Sequence, residues 1–94
     1  MSQEAYYAVN PDIVCRVEGE DALLFDPGTE EVKVLNATGL MLWNLCDGKH
    51  SESDLVQALA AEFPAVESHV LEADVTSFLS EMIDLNLLES VSGK

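Results

Sequence analysis

Ile13, Cys15 and Val17 alternate with Val14, Arg16 and Glu18. This two-residue period predicts a strand with one buried face. Asn10-Pro11-Asp12 just before it is a turn signal, because a residue preceding proline avoids the helical region. Residues 1–11 are expected to form a flexible lead. Gly19-Glu20-Asp21 turns the chain into a second apolar run, Ala22 to Asp26, which the breaker pair Pro27-Gly28 ends. A third strand is predicted at Glu31 to Leu35. Val32 and Val34 lie on one face of it, and Glu31, Lys33 and Leu35 on the other. The short connections favour an antiparallel meander.

The period then changes. Asn36 can accept from a free amide of a following turn, which makes it a helix N-cap. Ala37 to Cys46 is apolar nearly all round and is expected to be mostly buried, with Trp43 as a core anchor. Asp47-Gly48 ends that helix, glycine supplying a left-handed cap. Ser51-x-x-Asp54 is a start signal for a second helix, which carries Leu55, Leu59 and Phe63 and stops at Pro64. The third helix has the clearest stripe: Leu71, Val75, Phe78, Met82 and Leu85 at i, i+4, i+7, i+11 and i+14, widened by Leu79 and Ile83. Asn86 fits a left-handed terminator. Leu87-Leu88-Glu89 is then short and extended, and residues 90–94 are expected to fray. The predicted fold is α+β: a three-stranded antiparallel sheet followed by three helices, in one domain over residues 12–89.

Charge narrows the function. The 94 residues carry 18 Asp and Glu against 4 Lys and Arg, a net charge of −14. Such a surface repels phosphate backbones and anionic lipids. A winged-helix DNA reader needs a basic recognition helix, yet the third helix carries Glu72, Asp74, Glu81 and Asp84 and no Lys or Arg. Nucleic acid and membrane are therefore not expected partners. Met1 to Asn10 has no basic residue and no apolar run, so it does not read as a secretory signal. Leu40 to Cys46 is far short of the roughly 20 residues that span a bilayer. Cys15 and Cys46 lie far apart and form no C-x-x-C, as in a cytoplasmic protein with reduced thiols.

Catalytic chemistry finds no foothold. His50 follows Cys46 by four residues, but a turn signal separates them, and two such groups fall short of the four ligands of a structural zinc site. No nucleophile has a recognisable base partner, and there is no G-x-S-x-G, P-loop or dinucleotide glycine pattern. Neither catalytic residues, metal nor cofactor are expected. A binding role fits better. A small antiparallel sheet has edges with unpaired amides and carbonyls. An apolar helix flank beside such an edge suits strand addition, in which an extended peptide pairs with the edge and inserts side chains against the helix.

The segments Leu24-Phe25-Asp26, Val34-Leu35-Asn36-Ala37-Thr38-Gly39 and Leu42-Trp43-Asn44-Leu45-Cys46-Asp47-Gly48 resemble the PqqD-like family. So does the run of Asp74, Val75, Phe78, Leu79, Met82 and Leu85 to Leu88. These are small peptide chaperones, the recognition elements for precursor peptides that are made ribosomally and then modified. The resemblance extends from about Asp12 to Glu89. It implies a winged-helix-like fold and a non-catalytic protein that takes the leader of a precursor peptide as an added strand. It also implies delivery of that peptide to a modifying enzyme, often a radical S-adenosylmethionine protein. Carried onto this chain, Glu31, Val32, Lys33, Val34 and Leu35 would pair with the leader. Thr76, Leu79, Met82 and Ile83 would wall the groove, and Lys33 could meet an acidic leader side chain. An acidic docking subunit without leader binding is the alternative. A carrier domain would need an attachment serine, and neither Ser51 nor Ser68 lies in a carrier-like D-S-L run.

Overall fold

The computed structural model of the chain describes residues 5–92. In chain order its elements are β1 (Ala5–Val9), β2 (Val14–Glu18), β3 (Asp21–Asp26), β4 (Glu31–Leu35), α1 (Ala37–Leu45), β5 (Asp47–Ser51), α2 (Glu52–Glu62), α3 (Ser68–Asp84) and β6 (Leu88–Ser92). The strands form two antiparallel sheets, ordered β2-β3-β4 and β5-β1-β6. The α+β class and the three-stranded meander agree with the sequence-based expectation. The second sheet adds to it.

Local chemistry explains the helix starts. The Asn36 side chain accepts from the Gly39 amide at 2.8 Å and caps α1. Gly39 is tightly placed: a Cβ there would meet Asn36 Oδ1 at 3.3 Å and the Leu35 side chain at 3.4 Å. The cap and the close approach of α1 to β4 thus share one small residue. At α2, Ser51 accepts from the Asp54 amide at 3.3 Å, and Asp54 accepts from the Ser51 amide at 3.0 Å. This reciprocal box satisfies two donors the helix would otherwise leave free. Asn86 ends α3 with φ of 62°, and the Leu87 amide beyond it donates back to the Met82 carbonyl at 2.9 Å.

One core joins these parts. Ala22 and Leu24 of β3, Leu55 and Leu59 of α2, Val75 and Met82 of α3 are all buried, and Trp43 of α1 lies among them. Burying side chains of this kind stabilises by roughly 1.5–3 kcal/mol each.

Three expectations need correction. The lead was expected to be flexible, yet Ala5–Val9 is the middle strand of the second sheet, in register with Leu88–Ser92 on one side. Ser90 to Ser92 therefore do not fray, because β1 pairs with them. Residues 1–4 and 93–94 lie outside the described residues. The turn at Asp47-Gly48 is also part of a strand: β5 pairs with β1, and Gly48 adopts φ of 83° within it. Helix α1 is capped earlier, by the Cys46 amide donating to Trp43 at 3.1 Å.

Candidate functional site

Sheet order decides where a guest can sit. Strand β4 pairs with β3 on one side, and among the described residues no strand pairs with its other edge. Its side chains alternate. Lys33 and Leu35 lie opposite Leu24 and Ala22, on the face that covers the core. Val32 and Val34 lie opposite Phe25 and Leu23, and both valines are 60% exposed. They point away from the core, and of the two only Val32 borders the cavity beside the end of α3.

Helix α3 presents two flanks on either side of its buried stripe. Glu72, Thr76 and Ile83 share one flank by helical spacing. Thr76 donates to Glu52 at the start of α2, so this flank faces the second helix. Asp74, Phe78, Glu81 and Leu85 share the other, at i, i+4, i+7 and i+11. Here Lys33 Nζ of β4 donates to Glu81 Oε2 at 2.5 Å. Below that bridge a cavity of about 260 Å³ is lined by Asp26, Glu31, Val32, Lys33, Leu85 and Leu87. A larger hollow of about 830 Å³ lies on the solvent side of α3. Its floor is small and polar, with Ala73, Ser77 and Ser80, and only the helix and its end line it, so no strand edge faces it.

The residues expected at the site therefore divide. Glu31, Val32 and Lys33 border the cavity between β4 and the end of α3. Val34 projects outward, and Leu35 is buried. Leu79 and Met82 are 3% and 0% exposed; they support α3 from within the core and offer a guest no surface. Thr76 and Ile83 occupy the α2 flank. Asp26, Glu81, Leu85 and Leu87 were missed. The spacing of Phe78, Glu81 and Leu85 holds the signal for that flank, but periodicity alone does not say which flank a sheet will face.

The other titratable groups are structural. Cys46 donates its thiol to the Leu42 carbonyl at 3.2 Å. Burial first, and then the nearby Asp47 carboxylate, push it up to about 12. Asp47 is held below the ordinary carboxylate range, mainly by its hydrogen bond to His50 at 2.8 Å. Burial raises Tyr7 above the usual phenol range. Among the described residues no group of three or more His, Cys, Asp or Glu could hold a metal ion, and no helix is long and apolar enough to cross a membrane.

Two solved structures share this architecture. One is TbiB1 in complex with the TbiA(beta) leader peptide, 24% identical, with a TM-score of 0.78, covering 87% of this chain and 94% of that one. The other is a lasso peptide synthetase B1 complexed with its leader peptide, 22% identical, also with a TM-score of 0.78, covering 88% and 96% respectively. At such identities the likeness establishes a common fold. No curated protein matches the chain. Residues 21–88 match the family described as coenzyme PQQ synthesis protein D (PqqD), a span well over half the chain, and the chain belongs to the PqqD family.

Proposed function

We propose that this protein is a non-catalytic chaperone that binds the leader of a ribosomally made precursor peptide as an extra strand on β4. The observation that carries the proposal is the unpaired outer edge of β4 beside the cavity that Leu85 and Leu87 help to line. Main-chain pairing supplies affinity, and side-chain insertion sets the register. The two leader-bound proteins of the same fold support this reading, as does family membership. Each inserted apolar side chain is worth roughly 1.5–3 kcal/mol, offset by the ordering of a flexible peptide. The partner enzyme is a peptide-modifying one, with a radical S-adenosylmethionine protein the first to test, and the setting is the cytoplasm.

Amide-shift mapping during titration with a synthetic leader tests the site. Shifts are expected at Glu31–Leu35 and around Phe78 to Leu87. Shifts confined to α1 and residues 47–54 would overturn it. Methylating alternate leader amides gives a sharper test. One phase of the alternation is expected to weaken binding at least about tenfold and the other little, because only alternate amides point at the edge.

A further inference from the structure

We infer that the guest strand is cationic where it passes the end of α3: it sets a Lys or Arg on the same face as an apolar anchor, the anchor entering beside Leu85 and Leu87 and the cation meeting Asp26 and Glu31. This inference rests on the strand-addition reading and adds a chemical class to it.

Three separate features make this end of the groove negative. Asp26 and Glu31 are direct cross-strand partners, and like charges placed opposite each other destabilise a sheet. Asp26 has a local duty, accepting from the Gly28 amide at 2.9 Å, but that leaves its charge in place. Neither carboxylate has a cationic partner among the described residues. The second feature is Lys33, the one cation lining the cavity, which is already taken by Glu81 at 2.5 Å. It is therefore not free for an acidic leader residue, the role first considered for it. The third is the helix itself. The C-terminal end of α3 is the negative pole of its dipole and favours cations. Its last turn carries no basic residue, while its C-cap, Leu85, lines the cavity.

A sheet that places two carboxylates face to face beside an apolar pocket breaks a local rule, and such breaks mark sites where function is served. A guest cation relieves the pair, and a guest carboxylate adds to it. Residues two apart on a strand share a face, so anchor and cation belong at that spacing.

The test uses two fluorescent peptides of alternating Thr and Val around a central Leu, differing only in Lys or Glu two places from that Leu. Binding is followed by anisotropy at low and physiological salt, with amide shifts of Glu31–Leu35 recorded for each peptide. The protein is compared with Asp26→Asn/Glu31→Gln and with Glu20→Gln/Glu62→Gln. The second pair removes the same charge from the far turn of the sheet and the far end of α2. The Lys peptide is expected to bind about tenfold tighter than the Glu peptide at low salt, less so as salt rises. The site pair is expected to cut that preference about fivefold and the remote pair less than twofold. Equal losses from both pairs, with β4 still shifting, would overturn the cation inference and leave strand addition standing. Absence of β4 shifts with either peptide would overturn both.

Discussion

The two sheets have the same number of strands but are assembled differently. The β2-β3-β4 sheet is two successive hairpins, each strand paired with its neighbour in sequence. The β5-β1-β6 sheet gathers the beginning, the middle and the end of the described chain, with β1 in the centre. The first has a mostly exposed outer face and ends in the unpaired edge of β4. The second closes the molecule: the Val9 amide donates to the Cys46 carbonyl at 3.1 Å, and the Asn10 amide to the Leu87 carbonyl at 3.0 Å. The two sheets divide the labour. Long-range pairing secures the domain, so the hairpin sheet can leave an edge unpaired.

The largest test of that division lies where the hairpin sheet meets the core. Leu24 is fully buried, and Leu24→Ala is expected to cost about 3 kcal/mol in urea unfolding. A loss under about 1 kcal/mol would mean that this sheet contributes little to stability. A central strand tolerates proline less well than an edge. Ala8→Pro in β1 is therefore expected to cost about 2 kcal/mol or more, and Val17→Pro in the edge strand β2, whose amide faces away from β3 in this register, clearly less. Equal costs would erase the contrast between the sheets.

The closing sheet also carries a pH signature. The Cys46 thiol, next to β5, is raised from 9.0 to about 12. The folded state then holds a proton that the unfolded state releases, so stability is full below about pH 9 and falls as pH rises toward 12. Thermal melts across that window are expected to slope downward, and less steeply in Cys46→Ala. Iodoacetamide at neutral pH is expected to label exposed Cys15 and spare Cys46.

A smaller effect is expected at the entry to β6. Asn86 sits at φ of 62°, where a Cβ without a short polar side chain costs about 1 kcal/mol. Asn86→Ala should lose that amount, and Asn86→Gly should lose less. The smallest effect belongs to the open edge. Lys33→Met removes an ion pair whose Glu81 side chain is more than half exposed, and is expected to change stability by less than about 0.5 kcal/mol. A larger loss would show that the bridge to α3 secures the domain.

Legibility in the sequence followed the same division. The hairpin strands, the three helices, the Asn36 cap, the Ser51 box and the left-handed Asn86 are written in neighbouring residues and are found where those residues point, but β2 is exposed along its whole length and lacks the buried face its alternation predicts. The closing sheet was not legible as a sheet. Asp47 to Ser51 has no apolar alternation, and β1 shows only Tyr6 and Tyr7 as strand-favouring aromatics. Their partners are far away in the chain. The candidate site was half legible. The edge strand β4 was placed correctly, but the stripe on α3 is nearly symmetric about its buried centre. Thr76 and Ile83 were therefore expected to face β4, and the fold sets Glu81 and Leu85 beside that strand instead.

The pairing of β1 with β6 sets Ala5 against Ser92 and Val9 against Leu88. A tug between the two ends thus loads this ladder rung by rung, as a zipper is drawn, instead of shearing every rung at once. The clasp that keeps the domain closed in solution is also the place where a pulling machine gripping either end would meet the least mechanical resistance.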